Sequence, residues 1–244
     1  MLKNINGLNV NYVSYGKKEA KEIVFLHGWG QNIQMMRPVG DPLEKDYHIT
    51  IIDLPGFGES EEPKYVWTLF DYVECLHQLF GELGIKNPVL VGHSFGGKIS
   101  LLYASKYEVE KLVLLGSPFR PGITKLSLKT KLLKSVKKLP GMESLAEKAK
   151  KHIGSVDYRN ASPLMRAIMV EHVNLDISEE IKTIKVPTII IWGDRDQAVP
   201  LSEAYVLEQY LSDAAVIVYE ECTHYAYLER LGQTVNIIKS FIKE

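Results

Sequence analysis

The stretch VLVGHSFGGKIS, residues 89–100, places one serine where two sequence patterns meet. A short apolar run typical of a buried strand precedes Ser94, and a run typical of a helix follows it. Gly92, Ser94 and Gly96 form the pattern Gly-x-Ser-x-Gly. In a sharp strand–turn–helix the serine is strained, and side chains two residues away on either side would clash with neighbouring backbone. The pattern therefore predicts an exposed hydroxyl at the start of a helix, whose dipole favours nearby negative charge.

The pentapeptide has a second interpretation, because glycines at a helix start can simply allow close packing. The strand VLVG before it and the helix KISLLYASK after it provide the context that a nucleophilic serine requires. Such a nucleophile also needs a base, an acid that orients the base, and an oxyanion hole. The remaining sequence has to supply these three parts.

Apolar runs rich in β-branched residues recur along the chain, separated by helix-length patterns. The runs are nearly continuous, which is typical of parallel strands covered by helices on both faces. Residues 68–83 form one amphipathic pattern, with Thr68 as a predicted N-cap and Gly84 as a predicted stop. This alternation predicts a doubly wound, mostly parallel α/β sheet. The predicted strands are EIVFLHG (22–28), YHITIIDL (47–54), PVLVGHS (88–94), KLVLLGS (111–117), VPTIIIWG (186–193) and AAVIVYE (214–220), and the alternating LNVNYVSYG (8–16) is predicted to be an antiparallel strand of a hairpin at the edge of the sheet.

One long segment departs from this alternation. From Pro121 to about Asn174 only helical patterns with Lys-rich faces occur. We therefore predict a helical lid, residues 120–174, inserted after the sixth strand, and an α/β core formed by residues 1–119 and 175–244. Within this segment, up to residue 172, 12 Lys and Arg stand against 4 Asp and Glu. The predicted lid is thus strongly basic although the whole chain has a net charge of −1.

Composition excludes several functional classes. The chain has 244 residues, of which 45% are hydrophobic, and its net charge gives no general attraction to nucleic acid. Cys75 and Cys222 are too few for a disulfide framework and lack metal-ligand spacing. No signal-peptide pattern and no membrane-length apolar run occurs. We expect a cytoplasmic protein with no cofactor, no metal, no nucleic-acid partner and no membrane span.

Four further motifs, together with the serine motif, make the chain resemble the α/β-hydrolase family over nearly its whole length. FLHGWG (25–30) is similar to the HG motif after that family's third strand, and DLPGFGES (53–60) to its Asp-x-Pro-Gly-x-Gly-x-Ser loop. IWGDRDQAVP (191–200) resembles the loop that carries the acid, and CTHYAYLER (222–230) the loop that carries the histidine. The order Ser, Asp, His is the family's order. The resemblance implies a serine nucleophile and an oxyanion hole formed by the backbone N–H groups of Trp29 and Phe95.

The resemblance also implies the partners of Ser94. His224 matches the general base, because it follows the last predicted strand and precedes the C-terminal helix. Asp194 and Asp196 compete as the acid, and Asp196 has the family spacing to Val199 and Pro200. Asp53, at another strand end, corresponds to a structural residue of the family.

Two further residues near these motifs have open interpretations. His27 belongs to the HG motif and is interpreted as structural support for its loop. Cys222 lies two residues from His224 and is an alternative nucleophile, but no strand–turn–helix surrounds it, so a buried, inert thiol is favoured.

A serine nucleophile indicates cleavage of a carboxylic ester or thioester through an acyl-enzyme. Relatives with haloalkane dehalogenase or epoxide hydrolase chemistry have an aspartate in place of this serine, so those activities are disfavoured. HGWGQN and the short chain resemble the pimeloyl-ACP methyl ester esterase group of carboxylesterases. That resemblance, with the basic lid, implies an acidic acyl carrier protein or a coenzyme A thioester as partner; a solvated, purely structural lid surface is the alternative. A slow-turnover ligand receptor and a lyase or C–C bond hydrolase on the same fold also stay open.

The substrate pocket is predicted only in outline. Trp29, His93 and Phe95 are expected to face the substrate beside the catalytic groups, and for His93 packing within the core is the alternative. An apolar roof is expected from lid residues, for which packing between lid helices is the alternative; these residues are Leu132, Leu133, Met165, Ile168 and Met169.

Overall fold

The computed structural model describes residues 1–122 and 161–243. Eight strands form one sheet in the order β1-β2-β4-β3-β5-β6-β7-β8. The strands are β1 (Leu2–Ile5), β2 (Leu8–Gly16), β3 (Glu22–Leu26), β4 (His48–Ile52), β5 (Val89–His93), β6 (Lys111–Leu115), β7 (Thr188–Gly193) and β8 (Ala214–Tyr219). Strands β3 to β8 run parallel to one another, and β1 and β2 are antiparallel. The predicted doubly wound sheet is confirmed, and β1 and β2 form the predicted hairpin at its edge, in which β1 is outermost and the alternating strand 8–16 is second.

Helices cover both faces of the sheet. The helices are α1 (Ile33–Gly40), α2 (Leu69–Leu83), α3 (Phe95–Ala104), α4 (Pro163–Asn174), α5 (Ser178–Ile181), α6 (Ser202–Tyr210), α7 (Ala226–Glu229) and α8 (Leu231–Lys243). Alternate strand residues enter two separate cores: Val24 and Leu26 pack with α2 and α3, whereas Ile23 and Phe25 pack with α1 and α8. Strands buried on both faces explain why their sequences are continuously apolar. None of the helices in the described part of the chain combines the length and apolarity needed to cross a membrane.

Helix α2 illustrates how local sequence fixes the element bounds. The Asp71 carboxylate accepts a hydrogen bond from the backbone N–H of Thr68 at 2.7 Å, closing a capping box. The helix ends at Gly84, whose φ of 69° lies in the left-handed region that favours glycine. The predicted N-cap and stop are both confirmed.

The chain leaves the sheet after β6 and returns to it at β7. Helices α4 and α5 lie in this interval. Where the chain leaves the core, Arg120 forms two hydrogen bonds, 2.8 and 2.9 Å long, with the Glu203 carboxylate on α6. The remainder of the predicted lid, including Leu132 and Leu133, lies outside the described residues.

Candidate active site

Ser94 occupies the turn between β5 and α3. Its φ of 50° and ψ of −109° are unusual for a residue with a side chain, and the turn leaves it partly exposed. Close packing holds the turn in place: a Cβ on Gly96 would collide with the carbonyl oxygens of Leu26 and His27. The same conflict arises at Gly92, where a Cβ would lie 2.5 Å from the backbone of α3. The glycines thus permit a close approach of strand, turn and helix that presents the serine at the helix N-terminus.

Asp196 and His224 meet at the carboxyl edge of the sheet. The Oδ2 atom of Asp196 lies 2.6 Å from Nδ1 of His224, and the Asp196 side chain is fully buried. Its Oδ1 atom accepts hydrogen bonds from the backbone N–H groups of Ala198 and Val199 at 2.8 and 2.9 Å. The carboxylate is therefore oriented by the loop after β7, and an ionised carboxylate can only accept from Nδ1–H. That contact leaves Nε2 of His224 as the nitrogen able to accept a proton.

The loop after β6 brings the serine turn and the histidine together. The backbone N–H of Ser94 donates to the Leu115 carbonyl at 2.9 Å. The next residue, Gly116, has φ 55°, and a Cβ built on it would lie 3.1 Å from Nδ1 of His224. The imidazole of His224 thus lies against Gly116. The preceding residue, Leu115, accepts the hydrogen bond from the Ser94 backbone. The structure places all three predicted catalytic residues at this edge of the sheet.

The other aspartate of the loop, Asp194, does not reach the histidine. Asp194 is exposed, and its backbone N–H donates to the Tyr219 carbonyl at 3.1 Å. Its neighbour Arg195 pairs with Glu221 at 2.8 Å. Of the two competing aspartates, Asp196 is the one in contact with His224.

The backbone amides of Trp29 and Phe95 lie on the two loops predicted to form the oxyanion hole. The backbone N–H of Gly96 donates to the His27 carbonyl at 3.1 Å, which joins the loop after β3 to the start of α3. Within the described part of the chain, neither the Trp29 amide nor the Phe95 amide donates a hydrogen bond to protein. Both amides are therefore available to an anionic oxygen.

His27 supports this loop from below. Nδ1 of His27 lies 2.7 Å from the Gly28 carbonyl, and Nε2 accepts from the Leu54 backbone N–H at 3.0 Å. These contacts require Nδ1 to carry the proton of a neutral ring. Burial lowers the pKa of His27 to about 4, so the ring stays neutral at neutral pH.

Asp53 ties together the loops below the site. Its carboxylate accepts from the backbone N–H groups of Ile33 and Glu59 at 2.7 and 2.9 Å and from the Asn11 amide at 2.8 Å. The side chain is buried with its oxygens satisfied by protein. The contacts fit the structural role expected for Asp53.

His93 has a different place from the one expected. Of its two interpretations, a pocket residue or a packing residue, the structure favours packing, because the ring is fully buried. Nε2 lies 3.1 Å from the His224 carbonyl and Nδ1 lies 3.2 Å from Oε1 of Gln31. Strand geometry turns the side chain of His93 away from the serine turn. It links the loop after β3 to the loop of His224, and the pocket assignment is corrected accordingly.

Helix α4 lies against the aromatic residues near the serine. The Met165 side chain is buried and packs against Gly56, and Ile168 is buried beside it, whereas Met169 is partly exposed. Trp29 contacts Phe95 with ring centroids 5.1 Å apart. These residues form an apolar surface close to the predicted oxyanion hole.

Cys222 is buried, and its Sγ donates to the Glu220 carbonyl at 3.3 Å. Burial raises the pKa of the Cys222 thiol, which disfavours the thiolate that a cysteine nucleophile needs. The alternative of a cysteine nucleophile is not favoured by this environment.

Two residues near the site, Lys98 and His172, were not singled out from the sequence. Lys98 is buried in α3, one turn after Ser94, and its Nζ donates to the carbonyls of His172 and Leu175 at 2.9 and 2.6 Å. The ring of His172 lies parallel to that of Trp29, with centroids 6.1 Å apart. The one signal in the sequence was a lysine in a helix that has no other charged residue.

Comparison with known proteins agrees with this architecture. The sequence profile of the family described as "alpha/beta hydrolase fold" matches residues 21–142 and 126–231. Lipase 1 of Psychrobacter immobilis is 29% identical, over 97% of this chain and 81% of that protein. The pimeloyl-[acyl-carrier protein] methyl ester esterase of Aliivibrio fischeri is 22% identical, over 93% of this chain and 95% of that protein. The enol-lactonase of Burkholderia xenovorans LB400 has a similar structure, with a TM-score of 0.81, 22% identity and full coverage of both chains.

Proposed function

This chain belongs to the α/β-hydrolase fold family as a hydrolase of the esterase and lipase type, and we propose that it cleaves carboxylic esters or thioesters through an acyl-enzyme on Ser94. The observation that carries the proposal is the contact of Asp196 with His224 beside the serine turn. A buried acid, an oriented imidazole and a strained serine at a helix N-terminus are the parts that acyl transfer requires.

Each group has a defined role in the proposed reaction. The Ser94 hydroxyl oxygen attacks the carbonyl carbon while His224 takes the hydroxyl proton at Nε2. The backbone amides of Trp29 and Phe95 bind the developing oxyanion. The tetrahedral intermediate then expels the alcohol or thiol, which receives the proton from His224. Water, activated by the same imidazole, attacks the acyl-enzyme and releases the carboxylic acid and the free serine.

Asp196 acts through the histidine. Its carboxylate holds Nδ1–H of His224, fixes the tautomer and stabilises the imidazolium formed during the reaction. The two loop amides that bind its other oxygen support this role, because they hold the carboxylate in a fixed orientation.

The proposed function includes a division of the chain into a catalytic core and a cap. We propose that residues 1–119 and 175–244 form the catalytic core and that residues 120–174 form a cap over it. Helix α4 supports this division, since it lies between β6 and β7 in sequence and packs on residues beside the serine turn.

The decisive experiment compares wild type with Ser94→Ala on a p-nitrophenyl ester series from acetate to dodecanoate. We expect multiple turnovers by wild type and a loss of at least about 10⁴-fold in the variant. Ser105→Ala is the matched control, because that hydroxyl donates to the Leu102 carbonyl at the far end of α3. Equal turnover by wild type and Ser94→Ala would overturn the mechanism. A single burst would favour the receptor, and no reaction on any ester would favour a lyase or C–C bond hydrolase.

The basic segment supports a further part of the proposal, an acidic acyl carrier protein or coenzyme A as the carrier of the acyl group. Residues 120–172 carry 12 basic against 4 acidic residues. One of the basic residues, Arg120, is paired with Glu203, and the proposal rests on the net charge of the whole segment rather than on any single cation. Complementary charge of this kind accelerates encounter and is screened by salt.

The carrier proposal is tested by salt dependence. Between about 50 and about 500 mM NaCl, kcat/KM on an ester of acyl carrier protein should fall about tenfold or more, while kcat/KM on p-nitrophenyl acetate stays nearly constant. Lys137→Glu with Lys138→Glu should weaken only the carrier reaction, and the exposed Lys45→Glu in the core is the control. Equal salt dependence on the two substrates would leave the basic segment without a carrier role.

A further inference from the structure

Helix α4 presents one polar side chain on an otherwise apolar buried face. Met165, Ile168 and His172 are buried at intervals of three and four residues, which places them on one side of the helix. Val170 and Val173 lie on the opposite side and are about half exposed. The imidazole therefore points toward the core side of α4, where the serine turn lies.

The surroundings of His172 belong to the proposed oxyanion hole. Its ring lies parallel to the Trp29 ring and contacts the Phe95 ring edge-on, with centroids 4.5 Å apart in the second case. Trp29 and Phe95 are the residues whose backbone amides we propose as oxyanion donors. His172 therefore lies beside the side chains of the two residues whose backbone amides are the proposed oxyanion donors.

The imidazole has unused hydrogen-bonding capacity. Nδ1 of His172 is buried and has no hydrogen-bond partner within residues 1–122 and 161–243. A buried polar atom without a partner destabilises the folded state, so such atoms are rare and call for an explanation. A ligand that enters the site and supplies the missing partner is an explanation consistent with the position of the ring.

Lys98 holds His172 in this position. The Lys98 ammonium donates to the carbonyls of His172 and Leu175, at the last turn of α4, where a cation also complements the helix dipole. Burial lowers the pKa of Lys98 to about 8, so the group is mostly charged at neutral pH. Asp176 is the acidic group that opposes this shift. The charged end of a buried side chain thereby fixes the backbone that carries the imidazole.

The same surroundings determine the charge of the imidazole. Burial and then the nearby Lys98 charge lower the pKa of His172 to about 3. The ring is neutral at neutral pH and offers one N–H donor and one acceptor. A neutral ring with one donor and one acceptor suits a hydroxyl or carbonyl oxygen better than it suits a carboxylate.

We propose that His172 is a specificity-determining residue that hydrogen-bonds a neutral oxygen of the substrate, a hydroxyl or carbonyl close to the scissile ester, with Lys98 as its positioning residue. The proposal rests on the esterase function proposed above and narrows its substrate class. It selects esters that carry a second oxygen function near the reacting carbonyl over plain alkyl esters of the same size.

Two pairs of matched esters test this selection. 2-Hydroxyethyl and propyl hexanoate differ only on the alcohol side, and p-nitrophenyl 3-hydroxybutyrate and 3-methylbutyrate differ only on the acyl side. In at least one pair, His172→Phe should lower the ratio of kcat/KM for the hydroxylated over the plain ester by about tenfold relative to wild type. His77→Phe is the control, because that exposed ring stacks on Tyr107 away from the site. An unchanged ratio in both pairs would overturn the proposal.

Lys98 variants test the positioning role with the same ratio. Lys98→Met should lower the selectivity ratio toward that of His172→Phe, while Lys98→Arg, which can still donate to both carbonyls, should retain more of it. A full wild-type ratio in Lys98→Met would remove Lys98 from the proposal.

A binding measurement separates this proposal from the esterase function itself. Calorimetry of 2-hydroxyethyl and propyl hexanoate with Ser94→Ala, and with Ser94→Ala carrying His172→Phe, needs no turnover. The hydroxylated ester should bind about tenfold more weakly to the double variant, and the plain ester about equally to both. Equal affinities of the hydroxylated ester overturn the role of His172 whether or not the protein is an esterase, whereas failure of Ser94-dependent turnover alone overturns only the esterase function.

Discussion

The Asp196 carboxylate and the His224 imidazole meet through Oδ2 and Nδ1 at 2.6 Å, although 28 residues separate them in the chain. Both of the carboxylate oxygens are engaged, one by the ring and one by two backbone amides. This arrangement determines which nitrogen of the ring faces the substrate. It also makes the consequence of changing one atom predictable.

Asp196→Asn should abolish most activity without loss of the fold. The asparagine oxygen can still accept from the loop amides, but its NH₂ group would then donate to Nδ1 of His224. The proton of the ring would move to Nε2, which could no longer accept from Ser94. We expect kcat on p-nitrophenyl butyrate to fall by about 10³-fold or more. Asp194→Asn, an exposed position in the same loop, should stay within about twofold of wild type; a similar loss in both variants would contradict the assignment.

Replacing a glycine by alanine should have opposite effects on the free energy of unfolding in the serine turn and inside helix α2. A Cβ at Gly96 meets the carbonyl oxygens of Leu26 and His27, which belong to the backbone and cannot rotate away. Gly96→Ala should lower the free energy of unfolding by about 3 kcal/mol. At Gly81, inside α2, nothing lies within 4 Å of such a Cβ, so Gly81→Ala should raise the free energy of unfolding by about 0.5–1 kcal/mol. Urea unfolding of both variants is the measurement, and equal effects would refute the close approach.

Buried neutral histidines should make the protein sensitive to acid. Burial lowers the pKa of His27 to about 4 and those of His93 and His172 to about 3. Because the unfolded state binds protons first, this stability is fully present above about pH 6.5 and is lost as the pH falls toward 4. At pH 5, each ring should lower the free energy of unfolding by on the order of 2 kcal/mol relative to neutral pH.

Comparison of two variants isolates one of these rings. The free energy of unfolding of His172→Phe should decline less between pH 7 and pH 5 than that of wild type, because one titrating group is gone. His77→Phe, at an exposed ring, should keep the wild-type slope. Parallel slopes for wild type and His172→Phe would show that His172 is not a buried neutral ring.

Titration of Lys98 should raise the free energy of unfolding as the pH increases in the alkaline range. Burial lowers its pKa from 10.5 to about 8, so the folded state releases the proton before the unfolded state does. The energetic cost of the buried charge therefore fades as the pH rises from about 8 to 10.5. The stability of wild type relative to Lys98→Met should rise in this window by on the order of 1 kcal/mol per pH unit. The exposed Lys45→Met should show no such rise, and a flat difference for Lys98→Met would contradict the shift.

Features set by local interactions could be predicted from the sequence. The capping box of Thr68 and Asp71, the stop at Gly84 and the turn around Ser94 each involve residues within a few positions of one another. The continuous burial of the parallel strands likewise follows from composition. These features need no knowledge of how distant segments meet.

Features set by distant contacts could not be predicted in the same way. His93 is the immediate neighbour of Ser94, yet its ring bonds the carbonyl of a residue 131 positions away. Lys98 and His172 are 74 positions apart, and neither belongs to a recognisable motif. Their pairing depends on where α4 docks, and no periodicity in the chain encodes that position.

The Arg120–Glu203 pair has a practical meaning for protein engineering. The pair holds the chain to the core just after β6. The contact of Lys98 with the end of α4 holds it again before β7. A chimaera that exchanges only the sequence between Gly122 and Ala161 keeps both contacts. A segment from a relative that replaces only these residues should therefore be held by the two existing contacts, whereas an exchange beginning before Arg120 would remove the contact with Glu203.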